Sequence, residues 1–158
     1  MLFLSTYLNK IDKKGRVSVP AQFRAVIAEI PRSGSDFLGI VAYGSFLHPC
    51  IEACGMDRME KLSNSIDDLD PYSDNRDAFA TTILGGSVQL AFDSEGRVAI
   101  PENLLKSAGI KESAMFVGKG KTFEIWRPES FTEYSAKARE IAKKERASLQ
   151  LSKPGGNK

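Results

Sequence analysis

The chain has 158 residues, with 22 Lys+Arg against 20 Asp+Glu, a formal net charge of +2, and 42% hydrophobic against 27% charged residues. That balance belongs to a globular protein and excludes a disordered chain, a collagen-like fibre and a disulfide-dense scaffold. The longest apolar run, near residues 37–43, falls far short of the roughly 20 residues that span a bilayer.

In chain order, period-two alternation over residues 6–11 and 17–19 brackets a Gly-bearing turn and predicts a β-hairpin. Pro20 then opens a helix with Phe23, Val26, Ile27 and Ile30 on its apolar stripe. Strand pairs are expected at residues 37–43 with 46–53, turning at Gly44-Ser45. Met56, Met59, Leu62, Ile66 and Leu69 mark a longer amphipathic helix, followed by an acidic connector with five aspartates over residues 66–77. The pattern then starts again. Val88, Leu90 and Phe92 alternate before a second Gly turn and residues 98–100. Pro101 opens a helix carrying Leu104, Leu105 and Ala108 and stopped by Gly109. Residues 114–118 and 122–126 form the next strand pair, and Phe131, Tyr134, Ala138 and Ile141 line a closing helix. Residues 137–158 carry seven basic and two acidic side chains, and the last seven have no apolar periodicity, as expected of a mobile tail.

The recurrence is an internal repeat. Ile11-Asp-Lys-Lys-Gly-Arg-Val-Ser-Val-Pro20 returns as Phe92-Asp-Ser-Glu-Gly-Arg-Val-Ala-Ile-Pro101, at an offset of 81 with five identities in ten. A second echo, Ile51-Glu-Ala-Cys54 with Phe123-Glu-Ile-Trp126, sits at offset 72, so the first copy carries nine extra residues between its matching pieces. The expected domains are residues 1–77 and 78–145, followed by a basic C-terminal tail at 146–158.

Each turn projects an Arg directly after Gly. One reading is structural: Asp12 pairs with Arg16, and Asp93 with Arg97, simply to fix the turn. The other is functional. Lys13, Lys14 and Arg16 place three cations within four residues, and Arg can grip phosphate or a guanine edge bidentately while Asp orients it. Gly15 and Gly96 would let the backbone approach a nucleic-acid strand closely. Ser94 and Glu95 replace the two lysines in the second copy, so the copies need not contribute equally. A net charge of +2 excludes coating DNA by bulk electrostatics, but not a reader that concentrates a few cations on a repeated turn.

The duplicated Asp-x-x-Gly-Arg-Val-x-aliphatic-Pro resembles the signature of the AbrB-type (SpoVT-AbrB) swapped-hairpin fold. Two copies in one chain, the second closed by Phe-Glu-Ile-Trp, resemble the MraZ family of bacterial transcriptional regulators, over about residues 1–145. The resemblance implies a β-rich α+β fold in which two tandem AbrB-like units form an intramolecular pseudo-dimer with a C-terminal helix. It further implies a cytoplasmic, nucleoid-associated homo-oligomer, assembled as a ring, that binds direct repeats in promoters of the division and cell-wall gene cluster. The DNA contacts it implies are Asp12 with Arg16 and Asp93 with Arg97; Lys13 and Lys14 are added from local charge as phosphate contacts. The chain departs from the family pattern at Ala53-Cys54-Gly55, where an aliphatic-Tyr-Pro exit is usual.

Two rivals come from other classes. An antitoxin or protein-interaction module would use the basic helix at 132–151 to hold a partner, although antitoxins of this fold usually carry one copy per chain. An enzyme would have to use His48, Cys50 and Cys54, which supply at most three of the four ligands a zinc site needs and sit around Pro49 like ordinary strand residues. No cofactor, metal, membrane association or signal peptide is expected, and the two cysteines fit a cytoplasmic chain.

Overall fold

The chain reverses at Gly15 and Gly96, whose φ angles of +79° and +77° lie in the left-handed region that glycine enters without steric cost. These turns are seen in a computed structural model that describes residues 1–32 and 34–152. The first copy runs β1 (Thr6–Lys10), β2 (Arg16–Ser18), α1 (Ala21–Ala28), β3 (Gly39–Gly44), β4 (Ile51–Cys54) and α2 (Met56–Asp67). A connecting helix α3 (Asp74–Phe79) and a π-helical turn (Ala80–Leu84) follow. The second copy repeats the order as β5 (Val88–Ala91), β6 (Arg97–Ala99), α4 (Glu102–Ser107), β7 (Ser113–Gly118), β8 (Phe123–Trp126) and α5 (Pro128–Lys144). The protein is thus α+β, with an entirely antiparallel sheet.

The pairing differs from the expected hairpins. The first turn closes as the sequence predicts: the Asp12 N–H donates to the Arg16 carbonyl and the Gly15 N–H to the Asp12 carbonyl, both at 3.0 Å. Beyond it the arms separate, leaving one isolated bridge between Ile11 and Val17. β1 runs instead against β7, Thr6 opposite Val117 and Lys10 opposite Ser113. β5 runs against β3, Gly39 opposite Ala91. β2 and β6 form a separate two-stranded ladder, and β4 joins β8, giving the six-stranded order β1-β7-β8-β4-β3-β5. The reason is burial. A three-residue strand carries one inward side chain, and opposing β2 to β6 sets Val17 against Val98 at 0% and 1% exposure.

The register also locates the nine extra residues. Val41 opposes Gln89 where Met115 opposes Leu8, so the offset has fallen from 81 to 74 by the third strands. It reaches 72 where Glu52 opposes Glu124. Seven of the nine therefore lie between β2 and β3, and two in the β3–β4 loop. That loop also shortens the expected strand at 46–53. Pro49 has no N–H for a ladder, the Ser45 hydroxyl accepts from the Leu47 and His48 N–H groups, and regular pairing resumes only at Ile51.

One apolar core draws on both copies, with Val17, Val19, Phe23, Ile40 and Ile51 beside Val98, Ile100, Leu104, Phe116, Phe123 and Ile125. Phe23 is its hub, with ring centroids 5.3 Å from Phe3, 5.6 Å from Tyr7, 6.4 Å from Phe116 and 4.9 Å from Phe123. β3 is buried on both faces: Ile40 and Ala42 join this core, while Val41 and Tyr43 join a second cluster with Cys54, Met59, Ile66 and Ile83. That explains its continuous apolar run. Where β4 meets β8, Glu52 and Glu124 oppose each other, an unfavourable like-charge pair. Each accepts from an aromatic donor, Tyr43 Oη at 3.1 Å and Trp126 Nε1 at 2.9 Å, and Lys119 Nζ lies 3.6 Å from Glu124.

The contacts divide the chain into two units, Met1–Pro128 and Glu129–Lys158. In the second, α5 has the expected stripe half-buried at Phe131, Tyr134 and Ala138, and no fully buried residue. The expected tail runs from a short 3-10 turn at Arg146–Ser148 to Ser152; residues 153–158 lie outside the described residues.

Because Phe23 joins aromatic rings from both copies, Phe23→Ala should cost about 3–5 kcal/mol of unfolding free energy, measured by chemical denaturation. A loss under about 1 kcal/mol would show that the core does not depend on this hub.

Candidate nucleic-acid interface

In the β2–β6 ladder Arg16 opposes Ala99, Val17 opposes Val98 and Ser18 opposes Arg97. Side chains alternate across a strand, so with both valines buried, Arg16, Ser18, Arg97 and Ala99 share the outward face. Arg16 and Arg97 are diagonal neighbours, about 7–8 Å apart at the backbone. Residues 81 positions apart in the chain thus meet on one surface.

Each arginine is held the same way. Asp12 Oδ1 accepts from the backbone N–H groups of Lys14 and Arg16, both at 2.9 Å, while Oδ2 accepts from Arg16 Nε at 2.7 Å. In the second turn Asp93 Oδ1 accepts from the Glu95 and Arg97 N–H groups at 2.8 and 2.9 Å, and Oδ2 accepts from Arg97 Nε at 2.8 Å. The carboxylate therefore closes the turn with one oxygen and aims the guanidinium with the other. In using Nε it leaves the terminal nitrogens of Arg16 without a hydrogen-bond partner among the described residues. That outer edge is the one a phosphate or base can take. Arg97 is less open, since its Nη2 lies 3.3 Å from Glu95 Oε2. The structural and functional readings of the Asp–Arg pair are therefore compatible: the pairing fixes the turn and still leaves donors outward.

The electrostatics follow. The Arg16 backbone N–H, then its side chain and the Lys14 N–H, hold the Asp12 carboxyl below its ordinary value of 3.8. The N–H groups of Arg97 and Glu95 do the same for Asp93, and Asp93 in turn raises Arg97. Lys13 and Lys14 are exposed on the first turn, as are Ser94 and Glu95 on the second.

Each turn is buttressed by a helix of the other copy. A Cβ on Gly15 would stand 3.0 Å from the Ile100 carbonyl oxygen and 3.6 Å from Leu105; one on Gly96 would stand 2.7 Å from Arg24 Nε and Cζ. Arg24, whose Nε donates to the Val19 carbonyl at 3.0 Å, is thus a charged neighbour of the second turn that sequence reading missed. Lys106 and Lys111 likewise line a groove beside the first turn. The missed contacts cross between copies, and no local spacing encodes them.

The residues of the enzyme reading do not converge on a reactive group. Both cysteines are free and buried. Burial pushes both thiols up, Cys54 to about 12, so neither provides thiolate at neutral pH. The His48 ring lies 5.8 Å from Trp126. Among the described residues no group of three or more His, Cys, Asp or Glu could hold a metal ion, and no helix is long and apolar enough to cross a membrane.

Comparison with known proteins decides the family. A family model described as "MraZ protein, putative antitoxin-like" matches residues 83–151. Curated proteins named "Transcriptional regulator MraZ" match almost end to end: those of Rickettsia canadensis (strain McKiel) and Rickettsia felis are 52% identical over 149 residues, covering 94% of this chain and 97% of theirs. That of Rickettsia bellii is 51% identical over 150 residues. The chain belongs to the MraZ family. Within it, the family model falls on the second copy, while the curated MraZ relatives span both.

A carboxylate held below its ordinary pKa stabilises the turn at all pH values above 3.8, and that contribution disappears only as pH falls through the lowered value. NMR titration of the Asp12 and Asp93 carboxyl carbons should therefore give midpoints below 3.8, with the turn intact from neutrality down to that value. Midpoints at or above it would contradict the bonding described. A thiol reagent should modify neither Cys50 nor Cys54 in the native protein and both after denaturation.

Proposed function

We propose that this chain is a sequence-specific, double-stranded-DNA-binding transcription regulator that reads direct repeats in promoter DNA, those of the division and cell-wall gene cluster. The observation that carries this reading is the shared outward face of Arg16 and Arg97, each aimed by its own aspartate. Asp12, Gly15 and Arg16, with Asp93, Gly96 and Arg97, form the reading surface, and Lys13 and Lys14 hold phosphate beside it. The two copies, residues 1–77 and 78–145, act as an intramolecular pseudo-dimer, followed by the basic segment 146–158. The name carried by the Rickettsia relatives supports the transcriptional role.

One such face is small, so a single chain binds weakly and with strong salt dependence. A ring of identical chains presenting several faces to repeated sites gains avidity through effective concentration. The same reading places the protein in the cytoplasm, associated with the nucleoid, with no cofactor and no catalytic step.

A second reading is favoured by the antitoxin-like description of the family model and by α5, which has no buried residue. In it, α5 holds a protein partner. A toxin that co-purifies with the full chain and is lost on α5 deletion would support that role.

Arg16→Ala should lower affinity for the promoter repeat about ten- to hundredfold in a gel-shift assay while leaving the oligomer folded. Undiminished binding by the folded variant would overturn the assignment of Arg16.

A further inference from the structure

The surface beside the two turns is not symmetric. A groove of about 460 Å³ runs next to the first turn, and its charged lining is Lys13, Lys14, Lys106 and Lys111 with Asp12 and Glu102. Asp12 is already bonded to the first turn and to Arg16. Glu102 reaches Lys106 at 3.5 Å, but both side chains are more than three-quarters exposed, so the pair is screened by solvent and weak. Lys106 and Lys111 come from the second copy, at α4 and just before β7, so the groove is built by both copies.

The second turn does not carry the same charges. At the offset of 81 that holds from the turns into the helices, the positions of Lys13, Lys14 and Lys106 are occupied by Ser94, Glu95 and Ala25, while Lys111 lies in the stretch where the offset falls from 81 to 74. Arg24 stands beside that turn, partly buried and bonded to the Val19 carbonyl. Lys13, Lys14 and Lys106 thus have no basic equivalent in the other copy, and together with Lys111 they form a directional electrostatic feature. A single phosphate would engage one or two of them, whereas an extended polyanion engages all four.

We propose that the sugar-phosphate backbone of one DNA strand lies along this groove, with Lys106 and Lys111 as phosphate contacts in addition to Lys13 and Lys14. The inference rests on the DNA-binding reading above. It gives each chain a polarity on the duplex: the first turn lies on the phosphate-held side, and the second contributes Arg97 with little backbone support. Lysines here act as point charges on phosphate and not as readers of bases. Removing them should weaken binding to all sequences alike.

The test compares Lys106→Gln/Lys111→Gln, Lys111→Gln alone and Lys121→Gln with the wild-type chain. Lys121 lies outside the groove, exposed and lining a separate pocket with Met1 and Phe3. Affinity is measured by fluorescence anisotropy across a range of KCl, on a duplex selected by the wild-type protein and on a scrambled duplex. With about 0.9 in slope per phosphate contact, the double variant should lower the slope of log K against log[salt] by about 1.8 and the single variant by about 0.9. The ratio of selected to scrambled affinity should not change, and Lys121→Gln should keep the wild-type slope. An unchanged slope in the groove variants, a changed sequence ratio, or an equal loss in Lys121→Gln would overturn the inference while leaving the DNA-binding reading in place. A wild-type chain that prefers no duplex would instead overturn the DNA-binding reading itself.

Discussion

A three-residue strand with one inward valine cannot bury that valine alone, and both copies of the repeat contain such a strand. β2 and β6 answer the same need by pairing with each other, and the remaining topology follows. Once Val17 lies on Val98, each first strand is drawn away from its own turn and onto the third strand of the other copy. The apolar residues of both copies then fill one core, centred on Phe23. The arginine after each turn emerges on the face opposite the valines. The outward surface is thus a consequence of core burial: the same register that hides two valines presents two guanidinium groups.

The aspartates complete that arrangement by dividing their two oxygens, one for backbone N–H groups and one for Nε. Because the bond uses Nε, the guanidinium is fixed in direction without losing its outer edge. A lysine at Arg16 could not be held and still present two parallel donors. The copies diverge around this shared device. Glu95 occupies Arg97 where Lys14 leaves Arg16 open, so two turns with the same hydrogen bonding carry unequal charge.

Much of this is legible in the sequence. The two turns, their positive-φ glycines, the Pro-started helices and the 81-residue register are all local patterns. The strand partners are not. Alternation over residues 6–11 and 17–19 reads identically whether the arms pair with each other or with another copy, and only the shared demand for burial distinguishes the cases. The sequence of residues 66–77 shows only an acidic link, yet Ser73 accepts from the Arg76 N–H and starts α3 there. Five aspartates masked a helix of only six residues. At the site, Asp12, Gly15, Arg16 and their counterparts are legible in the sequence because the turn is built from consecutive residues. Arg24, Lys106 and Lys111 are not, since they reach the turns from helices or loops of the other copy.

The two Arg-bearing turns meet through β2 and β6 within one chain. In an antiparallel ladder the pairs that do not exchange hydrogen bonds bring their Cα atoms to about 4.5 Å. The backbone bonds from Val19 to Gly96 and from Ile100 to Gly15 make Arg16–Ala99 and Ser18–Arg97 those pairs. An NMR experiment on isotope-labelled protein diluted into unlabelled protein should show Hα–Hα contacts between Arg16 and Ala99 and between Ser18 and Arg97, arising within labelled chains. Contacts running instead from residues 6–10 to 16–18, or contacts seen only between labelled and unlabelled chains, would contradict the account.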